Sequence, residues 1–434
     1  MKRRGIITVI LSIMLFGTVG AQETLKLDLE AAREHALNYN RTIKSSGLAV
    51  DKSQEMLWET ISAGLPKINA TTDYSNAMGA KISIQFDENL PATEIPIKPT
   101  SNFNLQLGQL LFSGSYLVGI QTAKLAQKLS EKNLEKTEQE VVSQVTQSYY
   151  LALVSEESLQ ILRNNTENLQ AIYKKTEPLV RVGMMEKVEL DQLSVQVNSL
   201  DNSVRSAERQ LEMAKNLLRI QLGVTAETEL QLTEKLSDFM IDQLPADNEG
   251  SFTPGQNVDF QLLEFQEDIT EKQVNMQKAA YLPTVTGYYN FTKKILKPAF
   301  DMSPAHMVGL QMNIPVFSSG ERRSKVRQAK IELETTRNNK ALVEEQLSIQ
   351  FKQLQFNLKS ALESYETQKK NVEVSREVYQ NLKRKYEQGM ISSLELTTAD
   401  TNYLKAESDY LMSVLEVLQA RNEINTLTGK ILNN

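Results

Sequence analysis

One turn occurs twice in this chain, and the sequence around it repeats at a constant spacing. The first copy spans 181–190 and the second spans 387–396, and each lies between two long helical patterns. Three pairs of residues are separated by 206 positions: Gly183 and Gly389, Glu189 and Glu395, and Gly223 and Gly429. A chain that repeats itself at about half its length encodes two copies of one structural unit, which constrains every fold that can be considered.

Residues 1–21 form a predicted secretory signal peptide. Basic residues at 2–4 supply its start, an apolar core follows at 5–16, and small residues occupy 19–21. We therefore expect cleavage before Gln22 and an exported mature chain. A membrane anchor is the alternative, but the apolar run is shorter than a bilayer-spanning helix requires.

Composition narrows the classes of protein further. The chain has 434 residues, of which 24% are charged and 41% are hydrophobic, as in folded proteins. It contains no cysteine, so we expect neither a disulfide nor a lipid-modified cysteine. The net charge is −6, and it becomes −9 when the three basic residues of the signal peptide are removed. This acidic balance argues against nucleic acid as a partner.

The first copy, 22–223, is predicted to contain a helix, a strand, a loop, a strand and then two long helices. Pro66 ends the first helix, because a residue before proline disfavours the helical conformation. Alternating polar and apolar residues then indicate strands, and apolar residues at steps of three and four indicate coiled-coil helices. The predicted elements are a helix at 24–63, strands at 67–75 and 102–112 around a loop at 76–101, and helices at 116–180 and 187–222.

The second copy, 257–434, follows the same order after an irregular segment at 224–256. The predicted elements are a helix at 260–280, strands at 284–292 and 306–317, and helices at 321–386 and 392–428. The fold class is therefore mainly α with a small β part and an internal two-fold repeat.

The long helices and the few strands together favour an unusual architecture. A helix of about 65 residues is roughly 100 Å long, far more than a compact domain of this mass needs. Four strands of about ten residues have the length of membrane-crossing strands. Open sheet edges cannot be satisfied in lipid, so several chains would have to share one barrel. A trimer would supply twelve strands.

The signal peptide, the duplicated unit, the strand pairs, the giant helices and the glycine-containing turns together resemble the TolC-like outer-membrane efflux family. The resemblance implies a homotrimer whose shared β-barrel spans the bacterial outer membrane and its lipid. An α-helical tunnel then extends into the periplasm. It also implies two further partners: a periplasmic adaptor, or membrane fusion protein, and an inner-membrane pump of the RND or ABC type.

The same resemblance assigns roles to residues near the repeated turn. The turns would form the tip that contacts the adaptor, and acidic side chains just beyond them would ring the narrow periplasmic aperture. The tip positions are Val182, Gly183, Met184, Gln388, Gly389 and Met390, and the aperture positions are Glu189, Glu395 and Thr398. Thr398 stands where relatives have a second acid. A simpler alternative for the two glutamates is that each favours the dipole of its own helix.

Three functions remain to be compared. The first is a passive exit duct of a tripartite efflux or secretion system. The second is a periplasmic coiled-coil protein with a structural or adhesive role and no pore. An enzyme is disfavoured because no phosphate-binding loop, metal-ligand cluster or nucleophile and base set is found, and no cofactor is expected. The strand pairs favour the duct, while its substrate, whether drug, metal ion or polypeptide, is not encoded in these patterns.

Overall fold

A computed structural model describes residues 24–85, 92–239, 252–296 and 303–432 of the protein. The predicted signal peptide lies outside the described residues. The first copy contains β1 (Thr24–Leu27), α1 (Leu29–Tyr39), α2 (Arg41–Ser62), β2 (Lys67–Ser75), β3 (Lys81–Ile84), β4 (Thr93–Pro96), β5 (Thr100–Ser113), α3 (Gly114–Arg181) and α4 (Lys187–Leu222). The remainder contains β6 (Glu229–Leu232), α5 (Val258–Ala279), β7 (Thr284–Leu296), β8 (His306–Asn313), α6 (Glu321–Glu387) and α7 (Ser393–Leu427).

Two long helical hairpins dominate the molecule. Helix α3 has 68 residues and α6 has 67, so each is a rod of roughly 100 Å. Each rod begins just after a strand and ends at one copy of the repeated turn, after which α4 or α7 returns along it. The strands β2, β5, β7 and β8 therefore lie at the opposite end of the molecule from the turns. Strand β1 lies near the middle of α3, where the Leu27 carbonyl accepts a hydrogen bond from Tyr149.

The first predicted helix, 24–63, is wrong at its start and is interrupted. Thr24–Leu27 is a strand, β1, which pairs in parallel with β6. Sequence reasoning missed this pairing because its partner lies about 200 residues away in the segment expected to be irregular. The helix is then broken at Asn40, whose extended backbone separates α1 from α2.

Two buried asparagines perform the same task in the two copies. The Asn40 Oδ1 accepts hydrogen bonds from the second and third N–H groups of α2, and its Nδ2 donates to the Gln221 carbonyl at 2.6 Å. Asn257 caps α5 in the same way and donates to the Leu427 carbonyl at 3.0 Å. Each amide thus joins the start of a short helix to the end of a long one, and satisfies groups that would otherwise be left unpaired.

Loop regions also contain more structure than the sequence patterns indicated. Strands β3 and β4 form an antiparallel hairpin within the predicted loop 76–101. The predicted irregular segment 224–256 contains β6 and short 3₁₀ turns at Leu236–Phe239 and Pro254–Gln256, while 240–251 lies outside the described residues. Four-residue strands carry too few alternating positions to be recognised from the sequence.

Four strands form one antiparallel sheet in the order β2, β5, β7, β8. The two copies therefore meet in the sheet where β5 pairs with β7, and β2 and β8 are its two edges. Strand β7 extends to Leu296, beyond the predicted end at 292, and β8 stops at Asn313 rather than 317. Pro315 follows β8, and a proline cannot donate to a ladder.

The sheet has one polar and one apolar face. Asp73 accepts hydrogen bonds from Asn102 at 3.0 Å and from Asn104 at 3.1 Å, and Thr292 donates to Asn104 at 3.0 Å. Register places the alternate residues on the opposite face, which carries Ile68, Leu105, Leu107, Tyr289, Phe291 and Val308. The alternation along the strands gives the sheet two surfaces of different chemistry, although Thr72 and Lys293 lie opposite Phe103 on the mainly apolar face.

Two hydrophobic clusters hold the helices together. The larger one lies where α1, α3, α4 and α7 meet and includes Tyr149, Leu218 and Val417, all completely or almost completely buried. The second lies nearer the turns and includes Leu193 and Leu396. Within the described ranges, no helix has an apolar stretch long enough to cross a bilayer.

Candidate functional site at the hairpin tips

The two tip turns have the same backbone geometry. Gly183 has φ of +76° and Gly389 has φ of +72°, a region in which side chains are strained. In each turn the glycine N–H and the following methionine N–H donate back to carbonyls of the last helical turn, at 2.9–3.0 Å. This is the Schellman arrangement that ends a helix, and it satisfies carbonyls that would otherwise be free.

All six predicted tip residues are exposed: Val182, Gly183, Met184, Gln388, Gly389 and Met390. The methionines stand out, since Met184 is 75% and Met390 is 68% exposed. Val188 and Leu394, which the sequence interpretation did not single out, are 57% and 59% exposed just beyond the turns. Their 206-residue spacing is the signal that would have found them. The tip therefore presents an exposed methionine and an exposed aliphatic side chain in each copy.

Glu189 does not have a free carboxylate. It accepts a hydrogen bond from the backbone N–H of Ser393, the first residue of α7, and the Ser393 hydroxyl donates to the Gln192 side chain. Ser393 is completely buried. An anion at a helix N-terminus is favourable because unpaired N–H groups and the helix dipole both attract it. Glu189 on the first hairpin thus caps a helix of the second.

Glu395 occupies the matching position in the second copy but has a different environment. Its side chain is exposed, and its backbone N–H donates to the Ser392 hydroxyl at 3.3 Å. Thr398 is also exposed, and its hydroxyl donates to the Leu394 carbonyl at 2.7 Å. The structure therefore places Glu395 and Thr398 together on one surface of α7, and Glu189 in the junction between hairpins.

Asp400, two residues after Thr398, is completely buried between the hairpins. One carboxylate oxygen accepts from the Asn165 amide at 3.0 Å. Burial raises the pKa of Asp400 to about 6, against the smaller opposing effects of Asn165, Gln196, Tyr379 and Lys383. The Tyr379 hydroxyl lies nearby, yet neither it nor the second Asp400 oxygen has a hydrogen-bond partner within the described part of the chain.

Glu407, two turns further along α7, shows how a buried acid is normally satisfied. It accepts from the Arg376 guanidinium at 3.1 Å and from the Tyr403 hydroxyl. In the part of the chain that the structure describes, Asp400 has no cation within ion-pair distance, and Lys383 lowers its pKa only in part. Among the described residues, no group of three or more His, Asp or Glu side chains is arranged to hold a metal ion.

The structure thus has a four-stranded sheet at one end, helical rods of roughly 100 Å, and a pair of similar turns at the other end. The chain belongs to the outer membrane efflux protein family, whose model matches residues 32–224 and 255–430. The two matched segments correspond to the two copies of the repeat, which confirms the resemblance and the fold class predicted from the sequence. The protein is accordingly an outer-membrane protein.

Individual relatives are distant in sequence and close in fold. The probable outer membrane lipoprotein SilC of Salmonella typhimurium is 22% identical over 407 residues, covering 91% of this chain and 83% of SilC. The crystal structure of CusC matches with a TM-score of 0.75 and 17% identity, over 93% of this chain and 92% of CusC. The CmeC outer membrane channel of Campylobacter jejuni matches with a TM-score of 0.71 and 18% identity, over 93% and 85%.

Proposed function

We propose that this protein is the exit duct of a tripartite efflux or secretion system. Substrate passes passively through it, from a periplasmic adaptor and an inner-membrane pump to the outside of the cell. The duct itself performs no covalent chemistry in this proposal, and the selection of substrate belongs to the pump.

The observation that carries the proposal is the open, two-faced sheet. Its edge strands, β2 and β8, each leave backbone groups without a partner in the part of the single chain that the structure describes. Hydrocarbon cannot satisfy those groups, so a membrane-inserted sheet has to be closed. Three chains would close twelve strands into one barrel. The face carrying Leu105 and Phe291 would contact lipid, and the face carrying Asp73 and Asn102 would line the water-filled lumen.

The apolar tip supports docking of an adaptor. Met184, Met390, Val188 and Leu394 expose most of their surface at the point furthest from the sheet. Exposed apolar patches of this kind are typical of protein interaction sites. Because a trimer carries two such tips in each chain, six equivalent positions would be available to the adaptor.

The narrow end of the duct is proposed to lie beside these tips, with Glu189, Glu395 and Thr398 in its wall. Glu395 and Thr398 are exposed on the first turns of α7, where three chains would bring them close to a common axis. Glu189 would contribute by fixing the start of α7 through Ser393.

Reconstitution tests the duct directly. Protein purified from outer membranes and added to a planar lipid bilayer should produce discrete, long-lived conductance steps. The same protein unfolded before addition serves as the control. The competing role, a periplasmic coiled-coil protein without a pore, predicts a soluble periplasmic fraction and no conductance, and that result would refute the proposal.

A further inference from the structure

The two hairpins of one chain meet along a junction near the tip. Helices α3 and α4 of the first hairpin contact α7 of the second. In this junction Glu189 binds the backbone N–H of Ser393, and Asn165 binds Asp400 at 3.0 Å. We call these contacts the internal junction.

A ring of three chains contains a second kind of junction, between the second hairpin of one chain and the first hairpin of the next. The 206-residue repeat identifies the residues that correspond to those of the internal junction. Glu189 of the first hairpin corresponds to Glu395 of the second. Ser393 of the second hairpin corresponds to Lys187 of the first. The counterpart of the Glu189–Ser393 contact is therefore Glu395 with Lys187 of the next protomer.

The Asn165–Asp400 contact of the internal junction also has a counterpart between chains, and its side chains can form a hydrogen bond. Asn165 corresponds to Asn371, and Asp400 corresponds to Ser194. Asn371 is exposed and Ser194 is half-buried, so both are accessible from outside the single chain. An amide and a hydroxyl can form a hydrogen bond, as the amide and carboxylate do in the internal junction.

The sheet at the far end of the molecule independently supports the same correspondence between the contact inside one chain and the contact between chains. Inside the chain, the last strand of the first copy, β5, pairs antiparallel with the first strand of the second copy, β7. The edges left open are β8, the last strand of the second copy, and β2, the first strand of the first copy. Joining β8 to β2 of the next chain repeats the internal arrangement. The sheet and the tip therefore both predict that the second copy of one chain contacts the first copy of the next chain.

We propose that Glu395 forms an ion pair with Lys187 of the next protomer, and that this pair fastens neighbouring chains at the narrow end of the duct. The inference rests on the proposed trimeric duct and adds its residue-level contact. Both side chains are exposed, they carry opposite charges, and neither has a partner among the residues that the structure describes.

The local backbone favours the same pairing. Lys187 is the first residue of α4, and the N-cap residue Glu186 makes no side-chain capping bond. In the internal junction, the corresponding start of α7 is capped both by Ser392 and by Glu189. A Glu395 carboxylate beside Lys187 of the next protomer would supply the acceptor that α4 lacks, in addition to the ion pair.

The two kinds of junction would then differ in character. The internal junction is made of buried or half-buried groups such as Asn165, Asp400 and Ser393. The junction between chains would depend on an exposed pair of opposite charges, which salt screens. Separation of neighbouring chains at the tip is therefore expected to be easier than separation of the two hairpins within a chain.

Crosslinking tests the contact, and the chain offers a clean background because it has no cysteine. Two differently tagged chains, one with Glu395→Cys and one with Lys187→Cys, are co-expressed and treated with a short bifunctional maleimide. The expected product is a covalent dimer that carries both tags. The matched control pairs Lys187→Cys with Asp409→Cys, an exposed acid further along α7, and should give little of this dimer.

Two outcomes would overturn the proposal. Chains with Glu395→Cys alone could crosslink to one another while giving no product with Lys187→Cys. Glu395 would then line the aperture without contacting Lys187 of the next protomer, and the ion pair would be refuted. A chain that stays monomeric would overturn the trimeric duct as well, so the mass of the untreated sample separates the two failures.

Charge reversal tests the ion pair itself. Glu395→Lys and Lys187→Glu should each reduce several-fold the fraction of trimer that survives mild heating in detergent. The double variant should recover most of that loss, because it restores opposite charges. If the double variant instead loses as much heat-stable trimer as the two single variants together, the ion pair would be contradicted.

Discussion

Replacing Asp400 with Asn would test what limits the stability of the internal junction. Asp400 is completely buried, and only one of its oxygens has a hydrogen-bond partner in the described structure. Burial raises its pKa from the ordinary 3.8 to about 6. At neutral pH the folded protein therefore holds an ionised carboxylate in a buried environment that disfavours its charge.

The size and sign of the effect follow from these two pKa values. A difference of about two pKa units corresponds to roughly 3 kcal/mol, which is an upper value because the structure can relax. At neutral pH Asp400 is ionised in both the folded and the unfolded protein, and only the folded protein bears the free-energy cost of burying that charge. As the pH falls through 6, the folded protein takes up the proton first, and the cost is relieved by about pH 4. Asp400 thus makes the protein more stable at mildly acidic pH.

The Asp400→Asn variant should therefore be more stable than wild type at neutral pH, by up to about 3 kcal/mol. The gain should shrink as the pH approaches 4. Urea unfolding followed by circular dichroism at several pH values measures both quantities. Asp409→Asn, which neutralises an exposed acid on the same helix, is the control and should change little. A variant that is less stable at neutral pH, or whose gain is the same at both pH values, would refute the reasoning.

Three further substitutions test the tip and the asparagine caps. Gly183→Val or Gly389→Val places a β-branched residue at positive φ, which costs roughly 1–3 kcal/mol locally. We expect export assays to show lost efflux with membrane insertion intact, and normal export by both variants would contradict the tip assignment. Asn257→Ala removes a helix cap and leaves the Leu427 carbonyl unpaired. It should lower the free energy of unfolding by roughly 2–3 kcal/mol, whereas the exposed Asn38→Ala should change it little, and equal losses would argue against the cap.

The repeat and the long helices could be predicted because their signals are local. A glycine that ends a helix and apolar residues at steps of three and four depend on neighbours a few positions away. The predicted start of α4 at 187 and its end at 222 therefore agree with Lys187–Leu222 in the structure. The family match then confirmed that the two copies make one outer-membrane efflux fold.

Features that depend on distant partners could not be predicted in this way. Asn40 looks like an ordinary polar residue within a helical pattern, and its role appears only when Gln221 lies beside it. Glu189 was expected at the aperture or on the dipole of its own helix, and its hydrogen bond with Ser393 of the other hairpin is a contact that neither prediction included. Nothing within the turn sequence identifies that partner.

The spacing of Asp400 from its neighbours on α7 indicates that it is buried. It lies four residues after Leu396 and seven before Glu407, so it falls on the buried seam of α7. A polar residue on such a seam is expected to be either paired or functional. Reading the apolar residues alone, as the helix prediction did, passes over this position.

The mass of the intact protein in detergent tests the central claim most directly. Closure of the sheet through β2 and β8 requires more than one chain, and twelve strands require three. Native mass spectrometry should therefore show a complex of three chains that persists until the protein unfolds. A stable, folded single chain under the same conditions would contradict the shared barrel, and the exit duct with it.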